Sequence, residues 1–135
     1  MSNLNFRGSF RPEDISQWFW SIIDLANSSR DRLETRLREM SKDELIRFHN
    51  EFDEAATQLV DEPFSKYLPI DTSEDHLRDI AEWIVSQGQS YFTEVWNNPQ
   101  KISEVTDVTE GVTYSSISDN VYWDRFNDIV PDAGF

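Results

Sequence analysis

The sequence predicts an all-α protein, a small single-domain bundle of four to five helices with an irregular C-terminal segment. Three observations carry that expectation. Apolar residues recur at helical spacing in several separate stretches. Helix-start signals precede them, the clearest being Ser41-Lys42-Asp43-Glu44, a capping box. The length, 135 residues, suits one domain able to bury a core without staples. The reading divides the chain into an arm over 1–11, a helical domain over 12–130 and a tail over 131–135.

Pro12, followed by Glu13 and Asp14, opens the first helix, because a proline there sacrifices no hydrogen bond and acids favour the positive helix end. Ile15, Trp18, Phe19, Ile22 and Ala26 form its stripe, widened by Trp20, Ile23 and Leu25, so the helix runs over about 12–27. Ser29 caps a shorter helix with Leu33, Leu37 and Met40 inward. A third helix follows Ser41 over about 42–60, with Met40 and Leu45 at the staple positions. Its stripe is Leu45, Phe48, Phe52, Ala55, Ala56 and Leu59.

Pro63 and Pro69 make Asp61 to Ser73 a connection, packed down by Phe64, Tyr67, Leu68 and Ile70. Thr72 or Ser73 then opens one long helix over about 73–97, stopped by Asn97-Asn98-Pro99. Its apolar phase continues across Gly88, which would permit a close helix crossing or, alternatively, a kink. Residues 100–114, with Val105, Val108 and Val112, read as irregular or briefly extended. Ser118 or Asp119 caps a last helix bearing Val121, Tyr122, Phe126 and Ile129.

Composition narrows the function. The net charge is -14, from 12 basic and 26 acidic side chains, which argues against direct nucleic-acid binding and against an anionic membrane. The absence of cysteine removes disulfides, thiolate metal sites and cysteine nucleophiles. No apolar run is long enough to span a membrane, and the N-terminus lacks a secretory apolar stretch, so the expected compartment is the cytoplasm. Residues 1–60 carry a net of -3 and residues 61–135 a net of -11. That skew suggests an acidic surface that steers a basic partner.

No serine-nucleophile motif, phosphate loop, dinucleotide fingerprint or Glu-x-x-His pair is present, and no cofactor is implied. His49 and Asp53, four apart on the third helix, are the candidate metal pair, with His76 and Asp79 a second, weaker one. Neither supplies the third ligand that a catalytic zinc needs. Trp18, Trp83 and Trp96 fall on or beside helical stripes and read as core; Trp20 and Trp123 fit less cleanly. Trp123 lies in Tyr122-Trp123-Asp124-Arg125-Phe126, a mixture typical of interfaces. Tyr122 and Trp123, with Asp119, Asp124 and Asp128, are therefore the candidate partner-binding residues.

The helices carry a resemblance. Trp18-Phe19-Trp20-Ser21-Ile22-Ile23, the block from Leu37 through Ser41 and Glu44 to Phe48 and Phe52, and Trp83-Ile84-Val85-Ser86-Gln87-Gly88 to Phe92 with Asn98-Pro99 resemble the uncharacterised bacterial family called domain of unknown function 4240. The likeness spans about residues 15–100 and rests on helix-packing positions. Relatives carry a longer Trp-, Tyr- and Gly-rich connection ending in an acidic pair. Here Phe64 to Asp75 is shorter and lacks the glycines, with Glu74 and Asp75 in the place of the pair. The resemblance implies no activity, but its association with toxin systems implies an immunity or antagonist role. The expected function is an acidic protein-binding module that occludes a basic partner such as a toxin, with Glu74 and Asp75 joining the contact residues. The alternatives are a small enzyme or metal protein built on His49 and Asp53, and a nucleic-acid-mimicking inhibitor.

Overall fold

In a computed structural model, residues 10–27, 29–105 and 114–131 are described, with Tyr114 and Ser115 as backbone only. Most of the expected N-terminal arm (1–9), Ser28, the stretch with Val108 and Val112, and residues 132–135 of the tail lie outside the described residues. The described residues form six α-helices: α1 Gln17–Ala26, α2 Arg30–Arg38, α3 Lys42–Thr57, α4 Glu74–Ser86, α5 Gln89–Asn97 and α6 Tyr114–Phe126. Short 3-10 turns occupy Pro12–Asp14, Ser65–Tyr67 and Pro99–Glu104. There is no strand among the described residues. The all-α single domain stands, but the expected count of four to five helices is too low.

Two local causes explain the difference. The first expected helix does not start at Pro12. Ile15 leaves the 3-10 turn extended, and Ser16 is the true N-cap, its Oγ accepting from the Phe19 amide. Glu51 of α3 fixes that cap, accepting from the Ser16 amide at 2.7 Å and from its hydroxyl at 2.9 Å. The second cause is Gly88. The expected helix over 73–97 is two helices, because Gly88 has φ +106°, outside helical space. Asp24 of α1 accepts from the Gln89 amide at 3.4 Å and so caps α5 from across the bundle. The last helix begins at Tyr114, a turn before the expected Ser118 or Asp119 cap.

The box at α3 forms as its spacing requires: the Ser41 amide donates to Glu44 Oε1 at 2.9 Å and the Glu44 amide to Ser41 Oγ at 3.1 Å. Helix α3 is central and packs on α1, α4 and α6. Helix α2 lies against α1 and α6, while α5 bridges α4, α1 and the 3-10 turns at Pro12 and Pro99.

An aromatic chain joins these elements. Phe19 sits 5.1 Å from Phe48 and 6.1 Å from Phe52, centroid to centroid. Trp20 sits 5.3 Å from Phe92, which stacks on Trp96 at 6.4 Å. Phe10 and Phe64 close the far end against Trp96 at 5.2 and 5.4 Å. Such pairs contribute about 0.5–1.5 kcal/mol each beyond their buried area. The tryptophan order differs from expectation: Trp20 is fully buried, whereas Trp18, Trp83 and Trp96 are only partly so. In the connection Phe64 is buried, but Tyr67 and Ile70 are exposed rather than packed down.

Replacing Gly88 by alanine forces a Cβ to 2.5 Å from Asp24 Oδ1 at a φ that L-residues rarely adopt. Gly88→Ala should lower unfolding stability in urea by about 1–3 kcal/mol. An Asp24→Ala background should recover only part of that loss, because the backbone strain remains. Ser41→Ala should cost about 1 kcal/mol in the same assay.

Candidate functional site

Helix α6 carries most of the expected contact residues, and its neighbours decide what each can do. Tyr122 is 1% exposed and packs on Phe126 at 5.0 Å, so it anchors α6 to the core and offers no surface to a partner. Trp123, the next residue, is 53% exposed. Asp124 is paired with Arg38 of α2 at 2.9 Å, and Arg38 also holds Glu34. Arg125 donates to the Met40 carbonyl at the end of α2, where a cation complements the helix dipole. Lys42 lies over the Phe126 ring at 5.4 Å. Asp128 is exposed and accepts from the Ile129 amide at 2.8 Å. One acid of the C-terminal half, Asp124, thus meets a base of the N-terminal half here.

His49 and Asp53 do not come together. His49 Nδ1 lies 2.8 Å from Ser118 Oγ and 3.7 Å from Asp119 Oδ1, joining α3 to α6. Asp53 instead pairs with Arg78 of α4, which also holds Glu82 at 2.9 Å and Thr57 at 3.0 Å. Each member of the expected metal pair is thus drawn to a different helix. Ser118, His49 and Asp119 also fail the geometry of a nucleophile relay. Both oxygens address the same imidazole nitrogen, and Ser118 is 1% exposed. Among the described residues, no group of three or more His, Asp or Glu side chains is placed to hold a metal ion.

A different surface combines a cavity, exposed apolar groups and acids that lack cations. The connection after α3, the start of α4 and the Pro99–Glu104 turn enclose a groove of about 500 Å³. Leu68, Pro69, Ile80 and Val105 give it apolar walls, and Asp71 and His76 lie in its lining. Tyr67, 40% exposed, lines it, and the neighbouring Ile70 side chain is fully solvent-exposed. The local hydroxyls are committed: Thr72 donates to the Pro69 carbonyl at 2.7 Å, Ser103 to the Gln100 carbonyl at 2.8 Å, and Ser73 caps α4.

Asp71, Glu74 and Asp75 are exposed, and none has an ion pair among the described residues. The α4 N-terminus supplies roughly half a positive charge, which offsets only part of three carboxylates. Lys66 already lies 5.4 Å over the Tyr67 ring, so the ring face accommodates an ammonium. Sequence reasoning reached Glu74 and Asp75 but missed Tyr67, Ile70 and Asp71. The available signal was a proline-punctuated segment holding many acids and one lysine.

The family described as protein of unknown function, DUF4240, matches residues 15–130, from the residue before the α1 cap through the whole of α6. The chain belongs to the DUF4240 family. No curated protein and no solved structure matches it significantly. Within this DUF4240 chain no helix among the described residues is long and apolar enough to cross a membrane.

One carboxyl of this DUF4240 domain titrates abnormally. Burial, then the Glu51 and Asp14 carboxylates, hold Glu54 above its ordinary range. A carboxyl whose folded pKa exceeds its unfolded value weakens the fold once both states are ionised, and does nothing where both are protonated. Glu54→Gln should therefore raise the thermal midpoint at pH 7. That gain should shrink as pH falls through the raised Glu54 range and vanish below the ordinary glutamate range. Thermal melts across pH 3–7, set to bracket the ordinary glutamate pKa of about 4.3, check this.

Proposed function

We propose that this DUF4240 protein is a binding module that captures a basic protein partner at the groove between residues 67–76 and the Pro99 turn. The concrete form is an immunity or antagonist protein that occludes a toxin by contact, without chemistry, in the cytoplasm. The observation that carries the reading is the groove itself, whose apolar walls adjoin the unpaired carboxylate of Asp71, with Glu74 and Asp75 exposed beside it in the first turn of α4. That arrangement suits a lysine or arginine side chain, whose aliphatic stem covers apolar surface while its charged head seeks carboxylates. Exposed Tyr67 and Ile70 add the apolar contact that charge alone does not supply.

The test uses partner captured from the source cell and measured by stopped-flow kinetics. Neutralising Asp71, Glu74 and Asp75 together to Asn, Gln and Asn should slow association by about tenfold at low salt, and the effect should shrink as salt rises. Neutralising Asp119, Asp124 and Asp128 should change association less, because Asp124 is already paired with Arg38 and the other two lie away from the groove. If the second triple slows association and the first does not, the partner sits on α6. In that case Trp123→Ala should speed dissociation and cost about 2 kcal/mol or more.

A further inference from the structure

Helix α5 presents a face unlike the rest of this charged chain. Its outward rows are Gln89, Thr93 and Asn97, and beside them Ser90, Glu94 and Asn98. The single charge, Glu94, is paired with Lys101 at 3.2 Å. Two adjoining hollows run along this face, of about 420 and about 490 Å³, and share Gln89, Thr93 and Asn97. The first is walled by the Pro12 turn on one side and Trp96 on the other, with Arg11 and Glu13, one charge of each sign, at its rim. Trp96 is held between Phe10, Phe64 and Phe92, so the aromatic wall is rigid. Gln89 is fixed by the Gln17 amide at 3.1 Å and keeps its own NH2 donors. The side chains of Ser90, Thr93 and Asn97 have no hydrogen-bond partner among the described residues.

We propose that this groove binds a neutral, polyhydroxylated ligand, namely a short uncharged oligosaccharide. Amide and hydroxyl side chains both donate and accept, as sugar hydroxyls do, so they pair with them without burying charge. The indole wall offers apolar surface to the C–H face of a sugar ring. A chain of net charge -14 repels polyanions, which disfavours acidic glycans. The site is separate from the acidic groove, and failure of either reading leaves the other standing.

The test is a titration of the isotopically labelled full chain, followed by amide and indole NMR shifts. The probes are cellotetraose, maltotetraose and chitotetraose, with a tetragalacturonate as the anionic control and a neutral tetrapeptide as the peptide control. At least one neutral tetrasaccharide should shift the amides of residues 89–98 and the Trp96 indole, and the tetragalacturonate should not. The double variant Thr93→Ala/Asn97→Ala, made at outward positions, should weaken that binding by about tenfold or more while its spectrum shows an intact fold. Gln89→Ala should weaken it independently. The proposal is overturned if none of the three sugars shifts these signals, if the variants bind them unchanged, or if the tetragalacturonate or the tetrapeptide binds as well.

Discussion

Phe19 and Trp20 are neighbours in sequence, and on a helix neighbours point about 100° apart. Phe19 therefore reaches α3 at Phe48 and Phe52, while Trp20 reaches α5 at Phe92. Both side chains are fully buried, so α1 acts as a wedge with two apolar faces. That wedge sets the separation of α3 and α5; α4 packs onto both, and α6 onto α3. Its cost is a Trp20 indole N–H with no partner among the described residues, a buried donor that packing must outweigh. Its start is fixed by Glu51, which ties the Ser16 cap to α3 and is itself held by Arg47 at 2.9 Å.

What the sequence made legible was local. Ser29, Ser41 and Ser73 cap the helices they precede, because a cap and its amide lie within three residues of each other. The apolar stripe of α3 packs as read, with Leu45, Phe48 and Phe52 buried. The break at Gly88 was hidden for a physical reason. Apolar residues keep one phase on both sides of it, so periodicity alone cannot distinguish a continuous helix from two that bury the same side. What chooses the break is the Asp24 carboxylate of another helix, and no window of sequence contains both partners. Trp20 was misread because a stripe analysis assumes one buried face.

The candidate sites divide in the same way. Charge counted by sequence halves assigned the acidic surface to residues 61–135, yet Arg38 comes from the other half and pairs with Asp124 of α6. Which acids remain without cations is a property of packing. The connection before α4 keeps its acids because Arg78 is committed to Asp53 and Glu82, and Lys66 lies over the Tyr67 ring. The pairing of His49 with α6 and of Asp53 with α4 follows from the central place of α3. Residues one turn apart on a helix that touches several others can serve different neighbours.

The packing of α6 against α2 and α3 has a consequence for how the chain reaches this structure. The Arg38–Asp124 contact closes a loop of 86 residues, among the longest separations in the fold. Contacts of that span are paid for in chain entropy before they return any stability, so they form late. The apolar faces of α2 and α3 gain their final cover only when α6, with Val121 and Tyr122 buried, packs on them. During synthesis the first three helices must therefore wait with an apolar flank uncovered until α6 has emerged. The negative charge that accumulates after residue 60 repels neighbouring nascent chains over that interval, and so gives the incomplete bundle time to close on itself.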